Sequence, residues 1–200
     1  MRSQISFYHS KEFQAFGYLN IDNLQNKFKK EFNIFEKGRS KEFFIKHFKN
    51  VYNLENFPIW AVVEIISFGN ISQFYKLLTN DIKRDVVSEI KDINGFIFEN
   101  WLHSLSVIRN ITAHHSRLWN KTLGVNFIVP KKINIFTDIA NSHNKIFFAL
   151  TVIEYILNSI GEDELEFKLK IKTLLNKYPN TKIKSMGFTE DWQELEIWKN

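Results

Sequence analysis

The chain of 200 residues has no cysteine, only three prolines and seven glycines, and few acids in its third quarter. Without cysteine there can be no disulfide, no thiolate nucleophile, no zinc knuckle and no iron–sulfur cluster. So little proline and glycine leaves few tight turns and favours long regular elements. Long apolar runs are also missing. The longest, residues 146–157, is too short to span a bilayer and is interrupted by Glu154. The start, MRSQISFYHSKEF, has no apolar core of a secretion signal. These absences predict a cytoplasmic protein with no membrane partner.

What is present is helical periodicity. Leu24, Phe28, Phe32 and Phe35 form one stripe, and Phe43, Phe44, His47, Phe48 and Val51 a second. Pro58 suits the opening of a helix through Trp60, Val63 and Ile66, with Gly69-Asn70 as its stop. Ser72 suits the cap of a short helix to Leu78, and Asn80 or Asp81 that of another to about Lys91. Asn94-Gly95 lies between helical patterns and reads as a helix–helix connection. From Phe96 one long helix carries Ile97, Trp101, Leu105, Ile108 and Thr112 on a stripe. After a basic stretch, residues 121–132, further helices are expected over 133–160, ending at Gly161, and over 162–177, ended by Pro179. The tail SMGFTEDWQELEIW brings two tryptophans that should dock on the body. The expectation is an all-α, single-domain chain over 1–200, with its motifs in 58–121 and a C-terminal helical region, 133–200.

Charge is uneven. The net charge of +5 divides by fifties into +5, −3, +5 and −2, and residues 101–150 hold six Lys or Arg against one acid, Asp138. Such a segment suits a polyanion, or simply a solvated face. Within it, RNITAHHSRLWNK at 109–121 crowds two Arg, two His, two Asn and a Lys beside an apolar stripe. Arg109 offers a planar fork of donors that matches phosphate oxygens, and His114 can take and return a proton near neutral pH. Together they meet the needs of RNA strand cleavage, in which a base frees the 2′-hydroxyl to attack the adjacent phosphorus and a cation holds the growing charge. Five residues at about 100° each would set the two side chains about 140° apart on an ideal helix. The helix therefore distorts or ends nearby, or a second subunit completes the site. A surface arginine and a helix-end histidine remain the alternative from the residues alone.

The segment resembles that of the Abi (abortive infection, AbiD/AbiF-like) proteins of the HEPN superfamily, whose ribonucleases carry Arg, a polar residue, three variable positions and His. Residues 109–114 fit that pattern, and Ala113 to Asn120 fit the family's A-H-H-x-R-L-W-N extension. Pro58, Trp60, Glu64, Phe68, Gly69 and Ser72 resemble a second block, Tyr18-Leu19-Asn20 a third, and Met186-Gly187-Phe188 with Trp192 a fourth. The resemblance implies an HEPN-like helical bundle and a metal-independent endoribonuclease that acts as a phage-defence or toxin–antitoxin effector. Arg109, Asn110 and His114 would be catalytic, with Glu64 and His115 in support. Arg117, Trp119, Asn120 and Lys121 would contact RNA, with a buried place in the core as the other reading of Trp119. It further implies a homodimer, restraint by a noncoding RNA or protein antitoxin, and no metal or cofactor. Members commonly carry a longer, Arg-bearing region before the Tyr-Leu-Asn block, and here it is almost absent. Two other functions stay open: a non-catalytic RNA-binding dimer, and a metallohydrolase built on the His114-His115 pair. The latter would have to use two histidines about 100° apart on a helix.

Overall fold

A computed structural model describes residues 1–25, 50–51, 56–162 and 164–199. All regular elements among them are helical. The chain divides into two compact units, Met1–Ser88 and Glu89–Asn200, so the division falls inside the 58–121 motif region.

In the first unit, α1 (Arg2–Phe13) is followed by two 3₁₀ turns, Gly17–Leu19 and Ile21–Asn23, then α2 (Ile59–Ile65), α3 (Phe68–Leu77) and α4 (Asn80–Val86). Helix α1 buries Ile5 and His9, one turn apart, and packs on α2 and α4. The Tyr-Leu-Asn block has a structural task. The buried Tyr18 hydroxyl donates to the Phe57 carbonyl at 2.6 Å, and Asn20 Oδ1 accepts the Asp22 amide at 3.0 Å to cap the second turn. Burial pushes the Tyr18 phenol up to about 12.

Three helix boundaries differ from the sequence reading. Pro58 precedes α2, as expected, but the helix ends at Ile65 and the chain turns extended at Ile66 and Ser67. Ser67, not Ser72, caps α3, its Oγ accepting the Asn70 amide at 3.1 Å. Gly69 therefore lies inside a helix. Ser72 is buried in α3, and Thr79, one residue before the expected Asn80, caps α4. Of the two N-terminal stripes, Leu24 is buried and Val51 exposed. Phe28, Phe32, Phe35, Phe43, Phe44, His47 and Phe48 lie outside the described residues.

His9 is fully buried, packed at ring distances of 5.3 Å from Phe13 and 5.6 Å from Phe74, and among the described residues neither ring nitrogen has a hydrogen-bond partner. Burial lowers its pKa to about 4, from 6.5, because the apolar surroundings penalise the charged imidazolium. The folded state therefore keeps His9 neutral while the unfolded chain protonates below pH 6.5. Stability is complete above that pH and drains as pH falls toward 4. At pH 5 the loss is about 2 kcal/mol relative to pH 7. Urea unfolding at the two pH values should show it in the wild type, and His9→Leu should lack this component. Equal pH dependence in both proteins would contradict it.

In the second unit, α5 (Gly95–Ala113) leads through a long loop to α6 (Asn134–Asp138) and a 3₁₀ turn, Ala140–Ser142. Helices α7 (Ile146–Ser159) and α8 (Glu164–Lys177) follow, and the tail forms three 3₁₀ turns. Asn94 starts α5, its Oδ1 accepting the Ile97 amide at 2.9 Å. Trp101, Leu102 and Ile108 face the core, while Thr112 is exposed.

The single helix expected over 133–160 is broken, and the hydrogen bonds show why. The loop after α5 needs partners for its amides. Leu123 N–H donates to the Asn144 carbonyl at 2.8 Å, and Phe127 N–H to that of His143 at 2.9 Å. These carbonyls are directed to the loop just before α7 begins. Gly187 then enters against the same turn with φ +94, where a Cβ would lie 2.8 Å from the Cβ atoms of Ser142 and Lys145. The other end of the loop is tied to α5. Asn100 accepts the Ile128 amide at 2.7 Å and donates to the Asn126 carbonyl at 3.0 Å, and Trp101 Nε1 donates to the Ile128 carbonyl at 2.9 Å. Both tail tryptophans dock, as expected. Trp198 is fully buried, stacks 5.9 Å from Phe147 and donates from Nε1 to Thr151 Oγ1 at 3.2 Å. Nearby, Lys168 Nζ lies 3.5 Å from the buried Glu154 carboxylate and donates to the Lys199 carbonyl at 3.2 Å.

Candidate functional site

The Arg-to-His segment is where α5 stops, and the stop has a defined geometry. Ala113 is the last helical residue and His114 its cap, with φ −93 and ψ 17. His115 turns to φ +52. Its amide donates to the Thr112 carbonyl at 3.0 Å, and the Ser116 amide to the Ile111 carbonyl at 3.0 Å. This crossed pair of bonds is a Schellman termination, with His115 at the left-handed position that glycine usually fills. The ideal-helix placement of His114 and His115, 100° apart, is thereby corrected, because His115 is off the helix. Of the alternatives left by the 140° argument, the helix ending nearby is the one observed.

A histidine at φ +52 costs about 1 kcal/mol. His115→Gly should therefore raise Tm by about 2–4 °C in thermal unfolding. A lower Tm would show instead that the imidazole makes a stabilising contact there.

Arg109 and Asn110 occupy the last turn of α5 and both are exposed. Arg109 Nη1 donates to Asn110 Oδ1 at 3.3 Å, and the Arg109 carbonyl accepts Thr112 Oγ1 at 2.8 Å. His114, His115, Arg117 and Asn120 are exposed, and Lys121 is half-buried. Asn120 adopts φ +51, a conformation asparagine tolerates well, and so makes a second sharp turn within six residues of His114. Among the described residues, no hydrogen bond joins Arg109 to His114, and no carboxylate forms an ion pair with Arg109, Arg117 or Lys121. The sequence explains the last point, since no Asp or Glu stands between Glu99 and Asp138. The C-terminal end of a helix carries partial negative charge, so holding a phosphate here falls to these side chains. Glu64 lies in the first unit, exposed on α2. Among the described residues, no group of three or more His, Asp or Glu could hold a metal ion.

Trp119 is 46% exposed, so it is not the enclosed core aromatic that its position beside an apolar stripe also allowed. With Leu118 it borders an open groove of about 560 Å³ that α7, α8 and the tail complete through Leu150, Leu174, Tyr178 and Met186. Sequence reasoning missed this groove. Its trace was Leu174, apolar on the charged α8, and Tyr178 just after that helix, which are 54% and 55% exposed.

The fold and the site define an all-α protein whose longest helix among the described residues ends in an exposed, cation-rich Arg-x₄-His segment. No helix of the described residues is long and apolar enough to cross a membrane. Residues 1–120 match the family model of the Abi-like proteins, and the chain belongs to that family. Membership points to a role related to abortive infection. Comparison with curated proteins and with solved structures returns no match.

Proposed function

We propose that the protein is a metal-independent, HEPN-type endoribonuclease of the cytoplasm, acting as an abortive-infection or toxin–antitoxin effector. The observation that carries this reading is the end of α5, where Arg109, Asn110, His114 and Arg117 are exposed on a short stretch of chain and, among the described residues, no carboxylate neutralises the arginines. His114 takes the 2′-hydroxyl proton, and O2′ attacks the adjacent phosphorus. Arg109 holds the charge that builds on the phosphoryl oxygens, and Asn110 orients its guanidinium. The P–O5′ bond breaks and O5′ receives a proton, leaving a 2′,3′-cyclic phosphate and a 5′-hydroxyl. Donating that last proton calls for a second acid. A two-fold dimer with its axis at the end of α5 supplies one, because His114 of each copy then faces the same phosphodiester. Arg117, Asn120 and Lys121 hold flanking phosphates. His115 serves the site through the backbone turn it makes. In a healthy cell a noncoding RNA or a protein antitoxin restrains the enzyme.

The test is incubation of labelled RNA and a DNA of matched sequence with the protein in EDTA. RNA should be cut and DNA spared, since DNA lacks the 2′-nucleophile. One observation favours a second reading, a dimer that binds RNA without cutting it: among the described residues no hydrogen bond connects Arg109 with His114. RNA bound but intact under every condition selects that reading.

A further inference from the structure

The groove beside the Arg-to-His segment has no part in the chemistry above, yet it adjoins it along the chain. Trp119 lies five residues after His114, so their backbones are at most about 18 Å apart, a span of a few nucleotides. The groove's walls are carbon almost throughout. Trp119 and Tyr178 are each about half exposed, Ile146, Leu150 and Leu174 contribute aliphatic surface, and Thr181 contributes a hydroxyl. Cations adjoin its walls along the chain, and no Asp or Glu is among the residues that line it. Lys177 Nζ sits 5.7 Å from the Tyr178 ring centroid, and Arg117 and Lys121 flank Leu118 and Trp119 in the chain.

A greasy slot with two half-exposed aromatic rings, bordered by unneutralised arginine and lysine, fits a ligand that is flat and apolar on its faces but anionic along its length. A single-stranded nucleic acid has that chemistry: bases stack on aromatic rings while the phosphates track the cations. We infer that the Trp119–Tyr178 groove is a base-binding subsite, which receives an unstacked base of the RNA a few nucleotides from the scissile phosphate and confines cleavage to single-stranded RNA. Duplex RNA is excluded because its bases are held in the stack and cannot enter. The inference rests on the ribonuclease reading for its substrate, but the binding it describes is separable from cleavage.

The experiment uses the full chain carrying His114→Ala, so that RNA stays intact, and single-stranded RNA decamers in which 2-aminopurine replaces one base at a time. At a small set of adjacent positions the fluorescence should quench on binding, and a duplex of the same sequence should show no such quench. Trp119→Ala and Tyr178→Ala, each added to His114→Ala, should abolish the quench and weaken single-strand binding by about five- to a hundred-fold, as for one lost base–aromatic stack. Tyr178→Phe should restore both, which separates ring stacking from a fold defect. Circular dichroism melts would verify that each variant is folded.

Unaltered binding and quench in folded Trp119→Ala and Tyr178→Ala would overturn the subsite. So would Leu174→Glu if it turned a dimer into a monomer and left RNA binding unchanged, because a second copy would then own the groove. If the subsite fails while His114→Ala alone abolishes cleavage, the ribonuclease reading stands. If His114→Ala cuts as well as wild type while the quench and its loss are observed, the subsite stands and the catalytic assignment falls.

Discussion

His114→Ala and Arg109→Ala should each lower EDTA-resistant RNA cleavage by about a hundred- to a thousand-fold or more. A positioned proton-transfer group is worth about 10²–10⁴ in rate, and a cation or donor on developing charge is worth about 10²–10³. Arg109→Lys should recover little, since an ammonium keeps the charge and loses the planar fork. Asn110→Ala removes only the 3.3 Å bond that orients the guanidinium, so its loss should be about tenfold. All four side-chain changes fall on exposed positions. Unfolding free energy should therefore stay within about 0.5 kcal/mol of wild type, and loss of cleavage with unchanged stability assigns the residues to chemistry. Variants that cleave as fast as wild type would remove these residues from the mechanism.

The largest effect on stability is expected in the tail. Trp198→Ala should cost about 3–5 kcal/mol, the usual range for emptying a large buried aromatic site. The ring is fully buried among Phe147, Phe167 and Trp192 and donates to Thr151. A loss of that size is a large share of a typical domain's total stability. Trp198→Phe keeps much of the packing and gives up the Nε1 bond, so about 1–2 kcal/mol should be lost. Urea denaturation measures both. A Trp198→Ala loss below about 1 kcal/mol would show that the tail is a loosely held appendage.

The elements that were legible in the sequence are those fixed by local rules. Asn94-Gly95 read as a connection with a helix from Phe96, and α5 starts one residue earlier, capped by the Asn94 side chain, while Trp101 and Ile108 kept the expected periodicity. The tail tryptophans were legible because rings of that size rarely stay in water when a core is within reach. The broken helix over 133–160 was hidden because its cause is tertiary: the 143 and 144 carbonyls are taken by amides 16–21 residues earlier in the chain. The Ser67 cap was masked by Gly69, a residue that reads as a helix stop but here sits in a first turn.

At the site, the sequence marked every polar residue at the end of α5 but not their geometry. The turn that displays His114 puts a histidine where a glycine normally gives the signal. The groove was missed because its walls come from segments up to 70 residues apart, Leu118 and Phe188 among them. Each wall residue alone looked like ordinary core.

The most direct test of the central claim, that this helix end cleaves RNA by activating its own 2′-hydroxyl, is end-group analysis by mass spectrometry. The protein is incubated in EDTA with a defined RNA and with the same RNA carrying one 2′-deoxynucleotide at the cut position. The expected products carry 2′,3′-cyclic phosphate and 5′-hydroxyl ends, with no cut at the deoxy position. Ends bearing a 5′-phosphate, or cleavage at the deoxy position, would contradict it.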